Sequence, residues 1–188
     1  MAFVVLYDAN VLYGNTLRDM MVRLARSGIV QAKWSARILD ETFDNLSAKR
    51  PDIAPDKFVR LRQLLIRAVP DCLVEGYEPL IEGLKLPDMD DRHVLAAAIK
   101  AGARVIVTAN LDDFPNEYLA QWHIEAKSPD EFILDQMSLD DRIVWACTQS
   151  IADSRNNPPE TVEDVLDALE RAGLIESIAA LRAGRAVE

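Results

Sequence analysis

The sequence predicts an α/β protein whose parallel sheet is covered on both faces by helices, followed by a helical appendage. Three observations carry this. The chain opens on "FVVLYDANVLY", residues 3–13, in which Phe3 to Tyr7 are suited to a buried strand and run straight into Asp8. A continuous apolar run of this length marks a strand buried on both faces, as in a parallel sheet. Apolar runs then alternate with stretches of helical periodicity as far as Lys127, which is the pattern of βα units. After Lys127 no strand is required, and the periodicity is helical only.

Taken in order, residues 15–28 combine a capping-box pattern from Thr16 to Asp19 with apolar Leu17, Met20, Met21 and Leu24 and a closing Gly28, so they are expected to form a helix. Residues 29–34 read as a short strand. Ser35 is placed to cap a helix along which Ile38, Leu39, Phe43 and Leu46 recur at helical spacing. Residues 56–69 form an amphipathic helix, and residues 72–77 and 104–108 read as strands. Between them residues 93–101 are alanine-rich, which suits a helix packed closely on a sheet; residues 123–127 read as a last, weaker strand.

The composition changes near Ser128. A second capping box is expected from Ser138 to Asp141 and a third from Thr161 to Asp164, ahead of Val162, Val165, Leu166 and Leu169. Asn156-Asn157-Pro158-Pro159 separates these two helices, Gly173 ends the second, and a short last helix follows through Ile178 and Leu181. The expected division is a catalytic domain over residues 1–135 and a helical extension over residues 136–188, its first helix opening at Ser138 and packing on the core or on a partner.

With 49% apolar and 28% charged residues among 188, the chain suits one well-buried domain plus an appendage, and disorder is not indicated. The apolar N-terminal stretch is too short to span a membrane and lacks the basic flank and cleavage site of a signal peptide, so a cytoplasmic location with no membrane partner is expected. Cys72 and Cys147 lack metal-ligand spacing and are expected as buried, reduced thiols. The formal charge of −10 argues against a broad basic surface for nucleic acid. A nucleic-acid enzyme remains compatible with it if several acids hold divalent cations, with Arg18, Arg23, Arg26, Lys33, Arg37, Lys49 and Arg50 available for phosphates or simply solvated on helix faces.

The acids recur at equivalent places. Asp8 ends the first strand, and Glu41 lies on the helix after the second. Asp88, Asp90 and Asp91 crowd the start of the alanine-rich helix in "LPDMDDRHVLAAAI", and Asn110, Asp112 and Asp113 follow the strand "RVIVT". Ligands of open α/β sheets sit outside the carboxyl ends of the strands, so all these groups are predicted at the reactive end. Converging carboxylates repel and raise one another's pKa, which calls for a compensating charge, and an all-oxygen set suits Mg²⁺ or Mn²⁺. Such ions serve phosphodiester hydrolysis. Other uses stay open: Asp88 and Asp90 also suit a helix start, Asp112 a turn, His93 a packed or capping position, and Glu41 a solvated helix face.

Together, "YDANVLY" with Asp8 and Asn10, Glu41 in "ILDETFDNL", "DDRHVLAAAI" with Asp91, and "VTANLDDF" with Asn110 and Asp113 make the chain resemble the PIN-domain nucleases, in particular the VapC-type toxins of toxin–antitoxin pairs. The resemblance covers roughly Phe3 to Leu134. It implies a three-layer α/β/α fold, an endoribonuclease dependent on Mg²⁺ or Mn²⁺, an RNA substrate, and a cognate antitoxin protein that covers the site; it also favours a homodimer. On this reading Asp8, Glu41, Asp91 and Asp113 are catalytic, with Asp8, Asp91 and Asp113 holding the metal and Asn10, Asn110 and Asp90 supporting them. Asn110 departs from the aspartate common in the family at that place, which moves weight to Asp113. Two other readings are a catalytically idle PIN-like module that binds RNA or protein, and a phosphatase of the haloacid dehalogenase type. The latter requires a second carboxyl two residues after Asp8, where this chain has Asn10.

Overall fold

β1, Phe3–Tyr7, lies in the middle of a five-stranded, all-parallel sheet of order β3-β2-β1-β4-β5. The computed structural model describes residues 3–185, so the outermost ends of both expected domains lie outside the described residues. The other strands are β2, Val30–Ser35; β3, Leu73–Val74; β4, Val105–Val107; and β5, Glu125–Lys127. A central strand has no solvated face, and Val5, Leu6 and Tyr7 are fully buried. Tyr7 stacks on Trp34 of β2 and meets Phe132 edge-on, both at 6.1 Å between ring centres, and its hydroxyl donates to the Met21 carbonyl at 3.3 Å.

Between the strands run α1, Ala9–Tyr13, and α2, Asn15–Ser27; α3, Ala36–Lys49, and α4, Pro55–Ala68; α5, Glu78–Ile81, and α6, Arg92–Ala101; and the short α7, Asn116–Leu119. The chain steps from β1 outward to β2 and β3, then returns past β1 to β4 and β5. Parallel crossovers are right-handed, so this reversal places α6 on the opposite face from the helices of the first two crossovers and completes the three layers. Ala96, Ala97 and Ala98 of α6 are fully buried, as a helix lying close against a sheet requires. The expected strand over residues 72–77 is only two residues long, because Gly76, at φ +69°, turns the chain away from the sheet.

Two of the three expected capping boxes do not form. α2 starts at Asn15 behind Gly14, so Thr16 lies inside the helix, while Asp19 bonds Arg23 at 2.9 Å and Arg155 at 3.4 Å. Ser138 also lies inside a helix: α8, Pro129–Ser154, begins nine residues earlier, where Ser128 and Glu131 make a complete box with Pro129 at the first position. The Ser138 hydroxyl donates back to the Leu134 carbonyl instead, and the non-helical backbone of Asp140 kinks the helix. The box at Thr161 and Asp164 is present and opens α9, Val162–Arg171.

The 135/136 division therefore falls within α8. That helix packs along α2, with Arg23 reaching Ser150 at 2.5 Å and Ser154 at 3.1 Å. The last helix, α10, Ile175–Arg185, is joined to the start of α8 by Asp130, whose two carboxylate oxygens accept from the Glu176 and Ser177 amides at 2.9 Å. Cys72 and Cys147 are buried and free, and among the described residues no helix is long and apolar enough to cross a membrane.

Candidate active site

A doubly wound sheet opens a crevice where its strand order reverses, at the carboxyl ends of the two strands that lead away from each other. Here those strands are β1 and β4, and a cleft of about 380 Å³ lies at their ends. Asp8, Asn10, Glu41, Asp91 and Asn110 line it. Residues far apart in sequence meet because each follows a strand or starts a helix on this one edge.

Asp8, buried, directly follows β1 and is the N-cap of α1. Its Oδ1 accepts from the Ala9 amide at 2.7 Å, and its Oδ2 from Asn10 Nδ2 at 2.7 Å and the Thr108 hydroxyl at 2.8 Å. Asn10 continues the network, donating to Thr108 Oγ1 at 3.0 Å and accepting the Ala109 amide at 2.9 Å. The Asn110 amide also donates to Thr108 Oγ1, at 3.0 Å. Thr108 thus ties the end of β4 to the end of β1. A threonine closing an apolar strand carries no signal of this in the sequence.

Burial pushes the Asp8 carboxyl above its ordinary range, against the hydrogen bonds from Thr108 and Ala9, and the charge of Glu41 adds to the rise. Asp91 precedes α6 but does not cap it, so its carboxylate is not committed to the helix start. Half-burial, followed by the charges of Asp8, Asp113 and Asp88, pushes Asp91 up to about 7. Glu41 behaves in the opposite sense. Burial favours its neutral form, but hydrogen bonds and charge from His93 and Arg37 outweigh that and hold its pKa below the usual range. His93 Nε2 lies 3.0 Å from Glu41 Oε1, and Arg37 Nε donates to the same oxygen at 3.2 Å.

Asp113 follows Asn110 in a single 3-10 turn, Leu111–Asp113, and its carboxylate accepts from Asn110 Nδ2. The amide therefore lines the cleft with the carboxylate bonded beside it. Asp90, expected as a supporting acid, is exposed and does not line the cleft; its carbonyl, not its carboxylate, faces Arg37, at 3.5 Å. Its amide donates to Asp88 Oδ1 at 2.8 Å, a local turn that accounts for Asp88. His93 is packed as expected, 1% exposed, yet it also touches the site, and its Nδ1 has no partner among the described residues.

Most of the basic residues offered for phosphate are in structural use. Arg18 is buried and donates to the Leu12 and Tyr13 carbonyls at 2.9 and 3.1 Å, closing the C-terminus of α1. Arg23 is held by α8, Lys33 donates to the Asp71 carbonyl, and Arg50 pairs with Asp52. Lys49 alone of the seven lines the cleft. Among the described residues no three Asp, Glu, His or Cys side chains stand together as a group that could hold a metal ion by themselves.

Comparison with known proteins bears on the family of the chain. The family model "PIN domain" matches residues 4–112, and "VapC50 C-terminal domain" matches residues 129–183, starting at the first residue of α8. The chain is 43% identical over 94 residues to a Mycobacterium tuberculosis (strain ATCC 25618 / H37Rv) protein named "Putative ribonuclease VapC50", an alignment covering 50% of this chain and 55% of that one. The chain thus spans about half the length of the curated relative it matches. No solved structure matches. The first of these family models covers more than half of the chain and every strand of the sheet up to β4, and the chain belongs to the PIN-domain family.

Proposed function

We propose that this protein is a divalent-cation-dependent endoribonuclease that hydrolyses RNA phosphodiester bonds as the toxin of a toxin–antitoxin pair. The observation that carries this is the convergence of Asp8, Glu41 and Asp91 on one cleft at the sheet reversal, with Asp113 bonded to Asn110 at its edge and two of the lining acids pushed toward the neutral form. Such a set is short of positive charge, and its donors are all oxygen, so it fits Mg²⁺ or Mn²⁺. Asp8, Asp91 and Asp113 would hold the cation. When bound, a cation of this kind supplies charge stabilisation for the phosphate and a source of hydroxide near neutral pH.

The chain's own groups divide the rest. Asn10 and Thr108 fix the direction of Asp8 through its Oδ2. Both donors to Glu41 end on Oε1, which leaves Oε2 to accept a hydrogen bond from the attacking water and orient it. The likeness to a protein named "Putative ribonuclease VapC50" supports RNA as substrate, and a cognate antitoxin, a homodimer and a cytoplasmic place of action belong to the same proposal. Incubating the purified protein with total RNA, with Mn²⁺ and with excess EDTA, tests the reading: cleavage is expected only with Mn²⁺. RNA binding without cleavage in either condition replaces it with an idle binding module.

Two substitution sets sharpen the roles. An amide oxygen ligates a hard cation without adding charge, so Asp113→Asn is expected to cost far more activity than Asn110→Ala. The double variant is expected to be no worse than Asp113→Asn, since groups serving one site act as a unit. Cleavage rates titrated against Mn²⁺ decide it; a parental curve for Asp113→Asn with an inactive Asn110→Ala reverses the assignment.

His93→Leu is expected to lower activity roughly tenfold or more, the range for partners that orient a metal-site residue. The same change removes a buried nitrogen that lacks a partner, so the thermal midpoint is expected to hold or rise. His93→Gln, whose amide nitrogen reaches the position of Nε2, is expected to recover part of the activity. Parallel loss of stability and activity in His93→Leu would reduce His93 to a packing residue.

A further inference from the structure

One side of the cleft is built differently from its acidic end. α3 presents Glu41, Asn45 and Lys49 to the cleft at i, i+4 and i+8, one stripe along a single helix face. α1 adds Tyr13, whose ring centre lies 4.7 Å from Lys49 Nζ. Lys49 is the one cation among the described residues that line this cleft. From Glu41 to Lys49 the helix rises roughly 12 Å, at about 1.5 Å per residue. The stripe therefore leads from the carboxylates to a cation and an aromatic ring about two helical turns away.

We infer that Tyr13, Asn45 and Lys49 form a subsite for the nucleotide adjoining the scissile phosphodiester of single-stranded RNA; this rests on the nuclease reading above. A phosphodiester chain approaching a cleft lined by three acids is repelled, and Lys49 is the group placed to offset that on the nucleotide's own phosphate. Lying over the Tyr13 ring, its ammonium is restrained instead of sweeping freely through solvent. Tyr13 is half-buried and leaves ring surface for an unstacked base, while exposed Asn45 carries both a donor and an acceptor for a base edge or a 2′-hydroxyl. Those base edges are free only in single strands, and a cleft of about 380 Å³ takes one nucleotide-sized group.

The test is Mn²⁺-dependent cleavage of a labelled single-stranded RNA across a range of KCl concentrations. Lys49→Gln is expected to raise KM about tenfold at low salt, with the loss falling on KM and not on kcat. The slope of log KM against log salt should flatten by about 0.7, the value for one phosphate contact on a single strand. Tyr13→Leu is expected to mimic it in part, with a smaller loss in Tyr13→Phe, which keeps the ring. Lys49 and Asn45 are exposed, so their variants are expected to fold. An unchanged slope in Lys49→Gln, or a loss that appears as a shifted Mn²⁺ requirement, overturns the subsite. If the parent does not cleave RNA at all, the nuclease reading fails by itself. Fluorescence anisotropy with the same RNA then decides the subsite: weaker binding and a flatter salt slope in Lys49→Gln uphold it, and parental binding or equal affinity for duplex RNA overturns it.

Discussion

Replacing Asp91 by asparagine is expected to abolish Mn²⁺-dependent cleavage and, in EDTA at pH 8, to raise the thermal midpoint of the protein by a few degrees. The two effects share one origin. Without a cation, Asp91 sits half-buried among Asp8, Asp113 and Asp88 and is pushed up to about 7. For an acid raised on folding, the native state holds the proton more tightly than the unfolded chain. The stability difference is therefore absent below the ordinary carboxyl value near 4, grows against the native state as pH rises, and is complete once pH passes about 7. Unscreened, a rise from the ordinary value near 4 to about 7 corresponds to about 4 kcal/mol. Asp91 is open enough to water for screening to leave about 1 kcal/mol, or a shift of about 2–4 °C in a chain of this size. Asp91→Asn should therefore match the parent at pH 4.5 and exceed it at pH 8, and saturating Mn²⁺ should erase or reverse the difference by stabilising only the parent.

Asp8→Asn should be equally inactive without the same gain. Its new Nδ2 would stand where Oδ2 now accepts from Asn10 and Thr108, setting donor against donor. Differential scanning at both pH values, with and without Mn²⁺, checks both variants. An Asp91→Asn protein less stable than the parent at pH 8 in EDTA would show that the carboxylates do not repel one another as drawn.

The sheet was readable because its signal is local. Phe3 to Tyr7 form an unbroken apolar run, and a strand of that kind occupies the centre of a parallel sheet. Asp8, Glu41, Asp91 and Asn110 were readable as a group because each follows a predicted strand or lies on or before the helix at one edge, and the cleft does gather them. What pairs with them was not readable. Thr108 acts through Asp8, 100 positions away, and His93 through Glu41, across two helices, so neither contact leaves a local pattern. Helix starts failed for a related reason. The box at Thr161 follows a loop, whereas the same pattern at Ser138 lies within a helix already started by Ser128, and a pattern alone does not report which start comes first. Arg18 and Arg23 read in the sequence as cations for phosphate or for a solvated helix face. Burial and the arrival of α8, neither visible along α2 itself, put them to structural use.

Deleting residues 138–188 is expected to leave a chain that does not stay soluble. A helical extension resting on a finished sheet would be dispensable, and the burial of α2 argues against that. Leu17, Met20, Met21 and Leu24 are buried, and so are Arg18 and Val22, so α2 is enclosed on more than its sheet-facing stripe. Part of that cover is α8, whose residues Val144, Cys147, Thr148, Ile151 and Ala152 are buried in turn, and which exchanges the Arg23 and Arg155 bonds with α2. The deletion also removes Val165, Leu166, Leu169, Leu174, Ile178 and Leu181, all buried. Fully burying a large aliphatic side chain contributes about 1.5–3 kcal/mol. Stripping the cover from α2 therefore removes an amount comparable with the ~5–15 kcal/mol that holds a domain together. The exposed apolar face should drive aggregation. Co-expressing residues 138–188 as a separate chain should restore solubility, because the α2 surface it covers is unchanged. Sedimentation of the two samples after lysis reads the outcome; a soluble, cooperatively unfolding 1–137 fragment would show that the extension only rests on a core complete without it.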